Sequence, residues 1–176
     1  MEDDRVTTNE PAPSKAELLQ ALHRSRDEVV ALVRGLPPER LEEGRYENGW
    51  NGRQILAHIA SIEWSYPRLI EVARTPPAPA GEPPPTRAPK SGNEDYNERQ
   101  VAKRAHLTVA DLLAEFETNR AATIRAVEAA DEALFARPIR STFGVVGPLA
   151  AVFHQVAVVH VLGHARDIAG PEAGQR

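Results

Sequence analysis

Seven of the fifteen prolines in this 176-residue chain fall between residues 75 and 91. A stretch so rich in proline cannot continue a helix and lacks the donors for a sheet ladder, so it reads as an extended, semi-rigid connection. At ~3.1 Å per residue it can span the length of a helix. The chain is thereby divided by one long crossover, and the residues on either side of it read as helices.

Residues 1–13 read as a disordered tail. Ser14 with Glu17 forms a capping-box pattern and opens a first helix, with Leu18, Leu19, Leu22, Val29, Val30 and Val33 at helical spacing. It stops at Gly35, before Pro37 and Pro38, and Pro38–Glu43 can add a short turn. Asn51 with Gln54 is a second capping pattern. It opens a second helix from Gly52 to about Arg74, which Pro67 should kink. After the crossover, helix resumes near Glu94 and breaks near His106. It restarts with the Thr108 and Asp111 capping pair and runs to about Ala130 as the third long helix. Residues 131–147 form a second irregular connection, in which Ile139–Val146 can be extended. The fourth helix runs from Pro148 to Ala169, with Gly170 and Pro171 as its stop. Residues 171–176 are a short tail. The expected architecture is all-α, one four-helix-bundle domain over residues 14–170.

Composition narrows the function. With no cysteine there is no disulfide framework, thiolate metal site or cysteine nucleophile. A net charge of −4, with no Lys/Arg block, argues against nucleic acid or an anionic membrane as a partner. The N-terminus is acidic and polar, unlike a signal peptide, and the longest apolar stretch, Val156–Gly163, is too short to span a bilayer. The expected location is the cytoplasm.

The fourth helix is apolar nearly all round, so it should be buried, and the histidines on it need partners. His160 and His164 are four residues apart and share a face, the spacing at which two imidazoles bind one metal ion. His58 lies ~10 Å from the start of the second helix, and His164 and His160 lie ~7 and ~14 Å from the end of the fourth. These depths match if the two helices run antiparallel, which requires an up-down-down-up order with a long crossover between the second and third helices. The proline-rich segment stands where that order needs it. His58 alone could equally be a core histidine bonded to a carbonyl.

Three imidazoles would leave a coordination position open, as in catalytic sites, and imidazole suits Zn, Ni, Fe or Cu alike, so ligand type does not choose the metal. Asp167, on the same face, can accept a hydrogen bond from a ligand's second nitrogen. No general acid or base stands out, so no catalytic residue is assigned. Glu63 points about 140° from His58 and reads as a surface residue. Tyr96 and Asn97 are candidates for a pocket mouth, and His23, His106 and His154 look incidental.

The run Trp50-Asn51-Gly52-Arg53-Gln54-Ile55-Leu56-Ala57-His58, followed by His160-x-x-x-His164, resembles the DinB/YfiT-like superfamily of metalloenzymes. The stretch Tyr96-Asn97-Glu98-Arg99-Gln100-Val101, with Leu112-Leu113-Ala114-Glu115-Phe116, resembles the N-terminal domain of mycothiol-dependent maleylpyruvate isomerases within it. The isomerase branch carries Glu where this chain has His160, so maleylpyruvate isomerisation itself is not expected. The resemblance implies the up-down-down-up bundle and metal ligands at His58, His160 and His164. It also implies a thiol-dependent S-transferase, isomerase or hydrolase acting on a small electrophilic molecule. One divalent ion (Zn, Ni or Fe) is the expected cofactor, and a low-molecular-weight thiol is a candidate co-substrate, supplying the sulfur the chain lacks. The expected partner is a small-molecule substrate, with a homodimer open as an assembly state. The alternative is a non-catalytic small-molecule-binding or self-protection protein.

Overall fold

Three capping boxes set where the main helices begin. The computed structural model describes residues 11–43, 49–75, 92–142 and 144–170. Helix α1 (Lys15–Gly35) opens on Ser14, whose hydroxyl accepts from the Glu17 N–H while the Glu17 carboxylate accepts from the Ser14 N–H. Helix α3 (Gly52–Glu63) opens in the same way on Asn51 and Gln54, and α6 (Val109–Ala129) on Thr108 and Asp111. Each box satisfies two of the orphan donors at a helix start. The short α2 (Pro38–Glu42) lies against the first turn of α3. A Cβ on Gly52 would come within 3.2 Å of the Leu41 backbone, a tight contact that glycine avoids.

Helix α4 (Pro67–Arg74) follows α3 after a turn, and α5 (Gly92–Lys103) precedes α6. A 3-10 turn (Glu132–Ala136) leads into an antiparallel ribbon of β1 (Pro138–Arg140) and β2 (Val146–Pro148), in which Ile139 faces Gly147. The last helix is one continuous rod in three parts. These are α7 (Leu149–His154), a π turn (Gln155–Val159) and α8 (His160–Ala169). It ends at Gly170, where φ is +73°, and Arg40 Nη2 donates to the Ala169 carbonyl at 3.0 Å.

Helix α3 packs on α6 and α8, and α1 packs on the same two. Leu18, Leu22, Leu56, Ile59, Leu112, Phe116, Phe153 and Val161 are sealed between them. Hydrogen bonds fix how these helices lie alongside one another. Arg53 donates to the Ala105 and Leu107 carbonyls, Asn119 to the Ala60 carbonyl, and Thr123 to the Glu63 carbonyl. Lys15, at the start of α1, donates to the Glu128 and Ala130 carbonyls at the end of α6. Among the described residues no helix is long and apolar enough to cross a membrane.

The helices expected from the sequence are present, with four local differences. Pro67 does not kink a long second helix. It starts a separate one, because its fixed φ and missing N–H suit the first helical position. Pro148 belongs to β2 and flanks the last helix instead of opening it. Gly35 is the last helical residue, followed by an extended Leu36, so it makes no left-handed cap. The π turn was not foreseen. The extended reading of residues 139–146 matches the ribbon in part. The proposed crossover at residues 75–91 and the tails at residues 1–13 and 171–176 fall almost wholly outside the described residues.

Candidate metal centre

His58 sits in the middle of α3 and is 3% exposed. The capping box at Asn51 and the close seat of Gly52 on Leu41 fix the turns before it. The Trp50 ring covers it at a centroid distance of 5.3 Å. Opposite, His160 and His164 project from successive turns of α8 and are half-buried. The His58 ring centroid is 5.7 Å from that of His160 and 5.0 Å from that of His164, and the latter two are 4.5 Å apart. One nitrogen from each ring lies within 4.8 Å of the others. The three residues singled out in the sequence are therefore brought together.

The protonation pattern follows from the neighbours. His164 Nδ1 lies 3.1 Å from Asp167 Oδ2, and a carboxylate can only accept, so this nitrogen carries a proton. His160 hydrogen-bonds the Val156 carbonyl, which also can only accept. Its Nε2 lies 3.1 Å from His164 Nε2, so the carbonyl is served by Nδ1. His58 Nδ1 is buried with no hydrogen-bond partner. Burial first, then the neighbouring His164 and His160, push the His58 imidazole down to about 3. Burial and His164 bring His160 down to about 4, against the pull of the Val156 carbonyl and Asp167. His58 and His160 are therefore neutral at physiological pH and present lone pairs. A single proton can bridge two facing nitrogens but not three. A cation can accept from all three, and this donor set fits a divalent transition metal.

Asp167 stands where the sequence placed it, on the outer nitrogen of His164, with its own side chain half exposed. Tyr96 and Asn97 are half-buried on α5, and Asn97 Oδ1 is shielded without a partner. A cavity of about 210 Å³ beside Trp50 is walled instead by Arg53, Gln54, Ala57, Glu98 and Val101, from α3 and α5. His23 and His106 are exposed, and His154 lines a groove between α1 and α8 that none of the three clustered histidines borders.

Glu63 corrects the sequence reading. It is fully buried and not on the surface. Its carboxylate accepts from Arg120 Nη2 at 2.9 Å, and Arg120 Nε lies 2.8 Å from the other oxygen in an ion-pair contact too bent for a good hydrogen bond. Pointing away from His58 did not mean pointing to water, because α3 is covered by α6 on that side and is buried from Ile55 to Glu63. Burial pushes the Glu63 carboxyl up, opposed by the guanidinium. Arg120 itself was missed. The available signal was a cation on the stripe of Phe116, Thr123, Ile124 and Val127, all of which are buried.

Fold and site together define a mostly helical protein with a three-histidine cluster able to hold a metal ion. The chain belongs to the DinB superfamily, whose family model matches residues 21–168. Its fold is similar to that of a mycothiol-dependent maleylpyruvate isomerase (TM-score 0.68, 17% identity, covering 89% of this chain and 61% of that one). A mutant of that isomerase matches with TM-score 0.64 and 15% identity, over 89% of this chain and 66% of the other. The chain thus spans about two thirds or less of the isomerase chains. YfiT from Bacillus subtilis, described as a probable metal-dependent hydrolase with an unusual four-helix bundle topology, matches with TM-score 0.61 and 18% identity, over 90% of this chain and 89% of the other. No curated protein matches the sequence.

Proposed function

We propose that the protein is a metal-dependent enzyme of the DinB superfamily. In this reading His58, His160 and His164 hold one divalent ion (Zn, Ni or Fe), and the enzyme transfers a low-molecular-weight thiol, or water, to a small electrophilic molecule in the cytoplasm. The observation that carries the reading is the convergence of three imidazoles, one nitrogen of each lying within 4.8 Å of the others. The relatives support it, one being a mycothiol-dependent isomerase and another a probable metal-dependent hydrolase.

The fold proposed with it is one domain over residues 14–170, an up-down-down-up four-helix bundle with its crossover at residues 75–91. The bonds of Arg53, Asn119 and Thr123 favour parallel α3 and α6, and those of Lys15 favour antiparallel α1 and α6. His58 lies level with His160 and His164, while Arg120 joins Glu63 to the Ala157 carbonyl, so the numbering falls along the last helix as it rises along α3, which favours an antiparallel pair.

Bound there, a divalent ion supplies Lewis acidity, lowering the pKa of a thiol or water and polarising a carbonyl. The chain supplies the rest. Burial keeps His58 and His160 neutral, so their lone pairs are available. Asp167 holds the His164 ring by its outer nitrogen. Ile55, Ile59, Val156 and Val161, neighbours of the histidines along their helices, are buried and would hold the local dielectric down. Tyr96 and Asn97 are kept as candidates for the mouth of the pocket.

One observation favours the alternative of a non-catalytic binding or self-protection protein. Glu63, five residues beyond His58, is committed to Arg120, and Asp167 to the His164 ring, so neither of these carboxylates stands free as a general base. Incubating metal-loaded protein with several small thiols and a generic electrophile, beside a His160→Ala control, separates the two. The enzyme reading expects conjugation or hydrolysis well above the control. Binding of a thiol without turnover would favour the alternative.

A further inference from the structure

The last helix contains one residue too many for a regular α-helix. Before the π turn its most buried residues are Leu149, Val152 and Phe153, and after it they are Val161, Ala165 and Ile168. From Phe153 to Val161 is eight residues, which in a regular helix is a rotation about 80° out of line. Seven residues would bring the two within about 20°. The π turn absorbs the extra residue. A regular helix through the same sequence would swing His160 and His164 by about 100°, away from the flank where His58 waits. Such turns cost regular hydrogen bonding and are frequent at functional sites.

The turn also changes the hydrogen-bond assignments. In an α-helix the His160 N–H would donate to the Val156 carbonyl, but here it donates to the Gln155 carbonyl. The Val156 carbonyl is released and is taken by the His160 ring. In the same turn the Ala157 carbonyl accepts from buried Arg120 Nη2 at 2.8 Å. Arg120 also donates to Ser25 Oγ at 2.8 Å and to the Leu22 carbonyl at 3.3 Å on α1, so the turn is pinned from inside.

We propose that the π turn is the positioning device of the metal centre: it frees the Val156 carbonyl to hold His160 in the tautomer whose Nε2 faces His58 and His164. This rests on the metal-site reading given above. Val156, acting through its backbone, and Arg120, acting through the Ala157 carbonyl, are positioning residues and touch neither ion nor substrate.

Two measurements test it. In metal-free wild-type protein at neutral pH, nitrogen NMR of the His160 ring should show the proton on Nδ1, and a ring protonated mainly on Nε2 overturns the proposal. Deleting Val159, which is 41% exposed, should convert the turn to regular helix, because Val161 then stands four residues after Val156 and reclaims its carbonyl. Helix content and Tm should hold, while Zn²⁺ affinity falls about 10–100-fold, the usual cost of losing an outer partner. Unchanged Zn²⁺ affinity in a folded deletion variant overturns the positioning role and leaves the metal reading standing. Failure of wild-type protein to bind Zn²⁺, Ni²⁺ or Fe²⁺ overturns the metal reading itself. Should the deletion variant not fold, the wild-type ring tautomer decides.

Discussion

Two buried polar clusters sit five residues apart on α3, and they are built on opposite principles. Around Glu63 the cluster is closed. Arg120 gives its protons to a carboxylate, a hydroxyl and two backbone carbonyls, all of them from the protein itself. Around His58 the cluster is open. Three imidazoles bring one nitrogen each to a single place, and the buried Nδ1 of His58 has no hydrogen-bond partner among the described residues. A closed cluster fastens helices to one another, whereas an open cluster of acceptors is complete only with a cation. Stability should therefore depend on the first, and metal affinity on the second.

Breaking the closed cluster should have the largest effect. Arg120→Met leaves the Glu63 carboxyl buried without its partner and should cost about 3–5 kcal/mol in urea unfolding. Adding Glu63→Leu should recover most of that loss, since a buried ion pair exchanged for well-packed apolar residues is near neutral. If Arg120→Met alone unfolds normally, the closed cluster is not what fastens the helices.

His164→Ala should show the reverse pattern. It removes a ligand, so Zn²⁺ affinity should fall by more than the ~100-fold upper cost of an outer-partner change. The metal-free protein should lose under about 1 kcal/mol, the ring being partly exposed. Calorimetric titration and urea unfolding of the same samples separate the two quantities.

Acid should weaken the metal-free protein through the open cluster. The folded values of His58 and His160, about 3 and about 4, lie below the ordinary 6.5, so the unfolded chain binds more protons below that pH. Neither histidine affects stability well above pH 6.5. Stability should fall as pH drops from there towards the folded values, by at most about 1.4 kcal/mol per pH unit for each ring. His58→Leu should flatten the slope, and an unchanged slope would show that the His58 ring is not buried neutral.

The smallest effect should come from Asp167→Asn, which keeps the shape but weakens the hold on the His164 outer nitrogen. An affinity loss of about tenfold is expected, with little change in unfolding. An unchanged affinity would make Asp167 a bystander.

The legibility of these features in the sequence follows from the range of the forces that set them. The starts of α1, α3 and α6 were readable because a capping box is made within four residues, at Ser14, Asn51 and Thr108. The three histidines were readable because one helix turn sets the spacing of His160 and His164, and helix depth sets the level of His58. The π turn was not readable. In a helix apolar on nearly every side, a shifted buried stripe leaves no trace in the pattern of polar and apolar residues. Glu63 was misplaced for a related reason. A helix buried on all sides has no solvent face, and only its partner on α6, Arg120, shows where the carboxylate goes. Both misses concern contacts between helices, for which the sequence offers at most one side, the cation on the buried stripe of α6.

Titration of Zn²⁺ into metal-free protein, beside His58→Ala, tests the central claim most directly. The expected result is one ion per chain, with X-ray absorption showing three imidazole nitrogens at ~2.0–2.2 Å, and loss of that binding in the variant. No saturable binding by the wild-type protein, or equal binding by His58→Ala, would contradict it.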